Sequence, residues 1–337
     1  MPKPVFCLAF LACAALCAQV FPVSVLAQPD AAAKPLMLVT WFGPGGIPLP
    51  TGSDWKLELL TVYDEGARPV AQYSNAAAKL NVSFIVFENL SGNPTAQGCR
   101  DDVIGSIVKN DGKLITKRVD GEAKNSSGET IATTSYSRDM GQAGGPRLND
   151  LFGFAGNAKT CAEIHISSVI NTADEEQAMK ADLTAFNPDL NYQSDAGNYF
   201  RFASALFKGA PGLAAPYYKS ALDALPDDLK SLAPRRIIID QLVMSLGMSG
   251  DLKNSRAVAE IAITKDPDYP LNYYNLACAD AEEGKAGDAK LHLQKAFDRR
   301  ANVISGEKLP DPSKDDSILK LKNDKTFWTF VMTLPKD

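Results

Sequence analysis

The two histidines, His165 and His292, are the first candidates for acid–base chemistry, because their ordinary pKa lies closest to neutrality. Cys161, Glu163 and His165 alternate at a spacing of two, which would place all three on one face of a β-strand. A thiol beside an imidazole could form an activated nucleophile. Four residues of strand, however, span roughly 13 Å, which is beyond hydrogen-bond reach. Glu163 and His165, roughly 6–7 Å apart along the strand, are close enough to interact, and such a pair is usually structural.

The remaining motifs do not indicate a reaction centre. His292 stands between two leucines in a helical pattern, which predicts a structural role. The glycine run at 43–46 lacks the Lys-Ser/Thr pair of a phosphate-binding loop. Neighbouring acidic residues fall at helix starts or turns, where they favour the helix dipole and do not face each other. We therefore predict no catalytic residue, no cofactor and no metal site, and expect that the protein is not an enzyme.

Two side-chain amides are better candidates, for binding a peptide. Asn275 and Gln241 stand 34 residues apart at equivalent places in a repeating pattern, beside Tyr274 and Asp240. An amide can both donate to and accept from a peptide backbone. The alternative is that Asn275 only orders its own helical hairpin.

The elements that would carry these amides form a repeat. The stretch 269–299 predicts two short antiparallel helices with a break at 284–287, since its apolar residues recur at spacings of three and four. The pattern recurs 34 residues earlier, over roughly 234–268, and again 41 residues before that, so an insertion of seven lies within 227–234. The matching positions are Leu276 with Leu242, and Ala289, Leu293 and Ala296 with Ser255, Ala259 and Ala262, which in turn match Ala214, Tyr218 and Ala221.

This pattern resembles the tetratricopeptide repeat over about 195–299, most clearly in the third copy. The tail at 315–328 resembles the segment that closes such arrays, with two aspartates, a Leu-x-x-Leu-like run and an aromatic cluster. The resemblance implies an all-α array over 195–335 whose first helices line a peptide-binding groove. The groove residues would be Asn275, Gln241, Tyr274 and Asp240, and the closing aromatic and aliphatic residues would be Leu319, Phe327, Trp328 and Phe330.

The start of the chain predicts export. Lys3 precedes an apolar stretch at 5–18, and Val25-Leu26-Ala27 is a suitable cleavage site before Gln28. We expect a Sec-type signal peptide over 1–27, a flexible lead-in over 28–34, and a secreted or periplasmic location. An uncleaved anchor is the alternative. No later stretch is long and apolar enough to cross a membrane.

The net charge indicates which classes of partner are disfavoured, and the cysteines indicate the redox compartment. Removing 1–27 takes away only Lys3, so the net charge changes from −5 to −6, which argues against nucleic acid or anionic lipid as partner. Three of the six cysteines remain, and Cys99 and Cys161 are predicted to form a disulfide in an exported protein. Cys278 is predicted to be a core thiol.

The region 35–190 is predicted to be an α+β domain with a mostly antiparallel sheet and two helices. Strands are expected at 36–42, 55–63, 80–88, 114–123, 130–138, 151–155 and 160–169. A helix is expected at 100–109, with Val103, Ile107 and Val108 inward, and Thr172 and Glu175 predict a capping box for a second helix. The order of these elements is faintly similar to the PsbP-like sandwich fold.

Three functional hypotheses follow. The first is an exported, non-enzymatic scaffold that binds a partner protein or peptide through the short groove of the repeats. The second is an envelope enzyme whose first domain has a cleft around His165 or the Gly-rich loops. The third is a carrier of a small ligand or lipid, which would need an apolar cavity beneath Phe84, Phe87 and Phe152. The sequence predicts neither the identity of the partner nor the oligomeric state.

Overall fold

The computed structural model describes residues 35–41, 43–63, 68–139, 147–169 and 172–335. The predicted signal peptide, the lead-in and most of the Gly-rich loop before Arg147 lie outside these residues. Contacts divide the described chain into two compact units, 35–224 and 225–335. The architecture is an antiparallel sheet domain followed by eight helices, which is an α+β domain and a helical array. None of the described helices is long and apolar enough to span a membrane.

The first unit is built on a seven-stranded, fully antiparallel sheet. Its strand order is β3-β4-β5-β9-β8-β7-β6, so the last strand in the sequence lies at the centre. A separate two-stranded ribbon is formed by β1 and β2. The strands are β1 Met37–Val39, β2 Gly46–Pro48, β3 Trp55–Tyr63, β4 Arg68–Asn75, β5 Leu80–Glu88, β6 Ile115–Lys124, β7 Thr130–Asp139, β8 Arg147–Gly156 and β9 Thr160–Ser168.

Three of these strands differ most from the sequence prediction. β2 was not predicted, because the glycine run before it and Pro48 favour a turn. β4 was not predicted, because Pro69 and several polar residues obscure its alternation, yet it pairs with both β3 and β5. β8 begins four residues before the predicted Leu151, which adds Asp150 to the sheet. By contrast, the predicted bounds of the strands at 55–63 and 80–88 are confirmed.

Different helices pack on the two faces of the sheet. α1 (Ala96–Asp111) packs on β7, β8 and β9, and its buried residues are Gly98, Cys99 and Ile104. The helix begins earlier than predicted, and Val108 is exposed rather than inward. The opposite face is apolar, and α2 (Ala173–Ala185) lies against β8 and β9 through Met179 and Leu183.

The predicted disulfide at α1 and the predicted capping box at α2 are both present. Cys99 of α1 and Cys161 of β9 form the predicted disulfide, with Cα atoms 5.7 Å apart. Thr172 caps α2: its hydroxyl accepts from the Glu175 amide, and the Glu175 carboxylate accepts from the Thr172 amide, which is the predicted capping box.

Helices of the predicted array fall in both units. The pair α3 (Ala196–Phe207) and α4 (Pro211–Asp223) belongs to the first unit, where α3 contacts β1 and β3. The second unit contains α5 (Leu232–Met248), α6 (Leu252–Lys265), α7 (Pro270–Glu282), α8 (Ala286–Asp298), α9 (Asp316–Leu319) and α10 (Lys325–Val331). In each pair the second helix buries its repeat-matched side chains, which are Ala214, Tyr218 and Ala221, then Ser255, Ala259 and Ala262, then Ala289, Leu293 and Ala296.

The end of the array is closed by the tail. Phe327 is buried in the core of α7 and α8, and Trp328 and Phe330 pack against that core. Ile318, rather than the predicted Leu319, is the aliphatic residue of α9 in this core. The segment between α8 and α9 was not predicted to pack, yet Leu309 belongs to the same core. We call residues 303–315 the strap.

Candidate functional site

The predicted peptide-binding residues lie on α5 and α7, which contact each other. The Asn275 Nδ2 donates to Asp240 Oδ1 at 2.8 Å, and the Gln241 amide lies 3.5 Å from Asp240 Oδ2. Asn275 and Gln241 are both partly exposed, whereas Asp240 is only 3% exposed. The structure therefore brings Asp240, Gln241 and Asn275 together as one group, which we call the amide cluster.

Tyr274, the fourth predicted residue, has a different neighbour. Its ring is 2% exposed, and its hydroxyl donates to Asp315 Oδ2 at 3.3 Å. One turn before, the Tyr269 hydroxyl lies 2.9 Å from a carboxylate oxygen of Glu307. Both acceptors belong to the strap, so the strap covers the side of α7 on which these tyrosines lie. Tyr274 therefore holds a segment of its own chain.

Burial governs the electrostatics of this region. Burial raises the pKa of Asp240 to about 7, although the amides of Asn275 and Gln241 favour its charged form. Burial also raises the pKa of Glu307 and of Asp315. Burial and the neighbouring Asp315 also raise the pKa of the Cys278 thiol. The strap is thus held by carboxyl groups that are more easily protonated than usual.

The sheet domain positions the second predicted group. His165 Nε2 lies 2.7 Å from Asp150 Oδ1, and Arg138 donates to both Asp150 oxygens at 2.8 and 3.1 Å. The imidazole also stacks on Phe152, with ring centroids 4.2 Å apart. The hydrogen-bond partner of His165 is thus Asp150 on the neighbouring strand, while Glu163 on its own strand interacts with it only electrostatically.

The thiol of the weighed nucleophile is not available for catalysis. Cys161 is bonded to Cys99, so it has no free thiol. His165 is held by Asp150, and the ladder places Ser83 directly opposite it on β5, but no hydrogen bond joins Ser83 and His165 among the described residues.

Glu163 is an unusual group for a sheet face. It lies between Ile85 and Phe154 in the ladder and is only 4% exposed. Burial raises its pKa to about 7, while His165 and Arg68 favour its charged form. Perturbed carboxyl groups of this kind are frequent at functional sites, although ion-pair networks also produce them.

His292 has the structural role predicted for it. Its Nδ1 lies 2.6 Å from Asp280 Oδ2, and Arg256 donates to the other Asp280 oxygen at 2.6 Å. The three residues come from α8, α7 and α6, so this network joins three helices of the array.

Sequence reasoning missed Asp150 and Arg138, the partners of His165. Both lie at strand ends that border the Gly-rich loop, where composition favours a turn. The alternation of Asp150, Phe152 and Phe154 was a usable signal, because it places a carboxylate on the same face as two buried rings. Within the described residues, no group of three or more His, Cys, Asp or Glu side chains is placed to hold a metal ion.

Comparison with known proteins gives little beyond the chain's own geometry. No family model matches the sequence, and no curated protein matches it. Among solved structures, a crystal structure from Bacteroides thetaiotaomicron VPI-5482 is 10% identical, covers 63% of this chain and 78% of its own, and has a TM-score of 0.29. A multi-domain immunophilin from Arabidopsis thaliana is 14% identical, covers 72% of this chain and 98% of its own, and has a TM-score of 0.28. At these values the similarity carries no argument about function.

Proposed function

We propose that this chain is an exported, non-enzymatic interaction protein that binds a partner protein or an extended peptide through its helical array. The array is similar to tetratricopeptide repeats in its 34-residue period and in the order of its helix pairs. The partner would contact the amide cluster on α5 and α7.

The observation that carries this proposal is the arrangement of the amide cluster. Gln241 and Asn275 occupy equivalent positions of two successive repeats; Asn275 is oriented by the buried carboxyl group of Asp240, and the Gln241 amide lies 3.5 Å from the other oxygen of that group. An amide that is held in place loses little conformational freedom when it binds, so it can contribute more affinity to a peptide backbone. Because the strap covers Tyr269 and Tyr274, the binding surface is expected on the side of α7 that faces α5.

Export is supported by the disulfide and by the predicted signal peptide. The Cys99–Cys161 bond is of a kind that persists in oxidising compartments and is rare in the cytosol. The proposal places the mature protein outside the cytoplasm, either in the periplasm or secreted.

The test is site-specific cross-linking in the native envelope fraction. A photoactivatable residue at Gln241 is expected to cross-link one specific partner, and the same residue at Gln294 on α8 is the control. The double substitution Asn275→Ala and Gln241→Ala should lower affinity for that partner at least tenfold, because each lost amide hydrogen bond contributes about 1 kcal/mol. A Gln294→Ala variant should bind as the unmodified protein does.

The proposal fails if the double variant folds, as judged by circular dichroism, and binds the partner with unchanged affinity. It also fails if cross-links from Gln241 and Gln294 give the same products. Of the other hypotheses, the lipid carrier has the least support. Phe84 lies on the opposite face of the sheet from Phe87 and Phe152, so the three side chains cannot line one cavity.

A further inference from the structure

A surface depression of about 380 Å³ lies on the face of the sheet that also carries α1. Its described lining comes from four neighbouring strands, β3, β4, β5 and β9, beside the part that α1 covers. This volume is within the range of small-molecule sites. The lining residues are Tyr63, Arg68, Val70, Gln72, Ser83, Ile85 and His165.

The sheet register arranges this lining in rows. Gln72, Ser83 and His165 stand directly opposite one another on β4, β5 and β9, and we call these three side chains the polar row. Side chains that are directly opposite each other are roughly 5 Å apart. The adjacent row begins with Val70 and Ile85, which are apolar. A polar row beside an apolar row suits a ligand that has hydroxyl groups along its edge and C–H groups on its face.

The groups of the polar row can accept further hydrogen bonds or donate them. Among the described residues, the side chains of Gln72 and Ser83 have no hydrogen-bond partner. His165 Nε2 lies 2.7 Å from Asp150, so the Nδ1 atom is left to accept a hydrogen bond when Nε2 donates. Polar groups that line a surface depression are hydrated in solution. A ligand with several hydroxyl groups can therefore replace that water without leaving the polar row unpaired.

Tyr63 supplies an aromatic side to the depression. It lies on the edge strand β3, opposite Arg68 in the ladder, and is 50% exposed. An exposed aromatic ring can pack against the apolar C–H face of a sugar ring, which removes apolar area of both rings from water. A tyrosine side chain is also rigid, so it loses little conformational freedom on binding.

The charged groups around the depression already have contacts of their own, which favours a neutral ligand. Arg138 donates to both oxygens of Asp150. The guanidinium carbon of Arg68 lies 4.5 Å from the centroid of the Phe87 ring, and Arg68 takes part in a further interaction as well. Glu163 is buried, and burial raises its pKa to about 7. An ionic ligand would have to compete with these contacts, whereas a neutral ligand would leave them in place.

We propose that this depression binds a neutral saccharide. The hydroxyl groups of one sugar ring bond to the polar row, and the apolar face of the ring packs on Tyr63 and on the neighbouring Val70 and Ile85. The site lies in the sheet domain, so it is independent of the amide cluster and of the proposed partner.

The experiment measures binding to the full mature chain by isothermal titration calorimetry. The probes are the neutral disaccharides cellobiose, maltose and N,N′-diacetylchitobiose, and sorbitol is the comparison ligand, because it has hydroxyl groups but no ring. At least one disaccharide is expected to bind saturably and about tenfold more tightly than sorbitol, since only a ring offers a rigid apolar face. Methyl glucuronoside, the acidic counterpart of methyl glucoside, should bind no more tightly than the neutral glycoside.

Variants locate the site. Tyr63→Ala should weaken binding of the disaccharide about tenfold, whereas Tyr63→Phe keeps the ring and should retain most of the affinity. Val119→Ala is the matched control, because Val119 is an exposed apolar residue on the opposite edge strand β6, and this variant should bind as the unmodified chain does. If Tyr63→Ala does not fold, as judged by circular dichroism, Ser83→Ala tests the polar row and should weaken binding several-fold.

Four results would overturn the proposal. They are the absence of saturable binding for every disaccharide, equal affinity for sorbitol, tighter binding of the acidic glycoside than of the neutral one, and equal losses in the Tyr63→Ala and Val119→Ala variants.

Discussion

Single buried carboxyl groups determine how this protein should respond to pH. Asp240 is the clearest case, because it is almost fully buried and its pKa is raised to about 7. In the unfolded chain an aspartate has a pKa near 4. Between these two values the folded state binds the proton and the unfolded state does not, so stability falls as pH rises from about 4 to 7 and changes little above that.

We predict that Asp240→Asn removes most of this pH dependence. The asparagine carboxamide is neutral and can still accept from Asn275, so the variant should match the unmodified protein near pH 4 and be more stable at pH 8 by about 2–4 kcal/mol. Hydrogen exchange of the α5 and α7 amides at both pH values measures the change. If the variant and the unmodified protein keep the same pH dependence, Asp240 is not protonated in the folded state.

Both histidines of the chain occur in the same three-residue arrangement. His165 and His292 each contact a buried aspartate whose other oxygen accepts from an arginine. In the array the arrangement lowers the pKa of Asp280, since His292 and Arg256 outweigh its burial. The two partners were unpredictable from sequence, because each aspartate is more than ten residues from its histidine and the contact needs the finished fold.

At the scale of elements, the packing of α1 on the sheet depends on Gly156. A Cβ atom at this position would lie 2.4 Å from the Cys99 sulfur and 2.8 Å from the carbonyl oxygen of Thr95. Gly156 is also paired with Cys161 in the ladder, so the disulfide and the start of α1 both approach the bare backbone. The close approach explains why β8 ends with a glycine.

We predict that Gly156→Ala destabilises the sheet domain by about 1–3 kcal/mol, because the backbone of α1 must move away. Gly121→Ala is the matched control, since a Cβ there would meet only the Thr133 hydroxyl at 3.4 Å, an ordinary contact. Urea unfolding of both variants gives the comparison. Equal midpoints for the two variants would show that α1 does not depend on this glycine.

The sequence predicted those helices and strands whose apolar pattern lies within one continuous segment. β3 and β5 have clear apolar content and turn residues at both ends, so their bounds were recovered. The 34-residue period likewise predicted the helix pairs and the buried small residues of the array. β2, β4 and the strap were missed, because none of them has a regular apolar pattern in the sequence. The strap packs through Leu309 and through carboxylates that meet tyrosines about 40 residues away.

The residues of the candidate sites also differ in how far the sequence could predict them. Asp240, Gln241 and Asn275 were all assigned to a peptide-binding groove, because Gln241 and Asn275 are at equivalent positions of the repeat, and in the structure the three side chains lie together. Whether they contact a peptide stays a prediction. Tyr274 was predicted to contact a peptide, but it contacts Asp315 of the strap. The repeat pattern ends before the strap and therefore could not predict this contact.

At the scale of the whole molecule, the disulfide is a covalent link between distant parts of the first unit. It closes a separation of 62 residues. In the chain-entropy treatment, a loop of this length stabilises the folded state by about 4 kcal/mol. The bond lies entirely within residues 35–224 and closes no loop in the second unit.

We predict that the double variant Cys99→Ser and Cys161→Ser lowers the stability of the sheet domain by about 2–5 kcal/mol. Hydrogen exchange of the β5 and β9 amides measures the loss, with the α7 and α8 amides as internal reference. Unchanged protection of β5 and β9 would show that the sheet does not need the link. Equal loss in both units would instead show that the two units unfold together.

The place of β9 has a consequence for the order of folding during synthesis. Asn81 pairs with Ser167 and Glu88 with Thr160, so the middle of the sheet joins segments that leave the ribosome far apart in time. Until β9 is made, β3, β4 and β5 can form only one part of the sheet, and β6, β7 and β8 another. During that interval β5 and β8 each present an unpaired edge, so this is the stage at which the nascent chain is most open to pairing with a neighbouring chain.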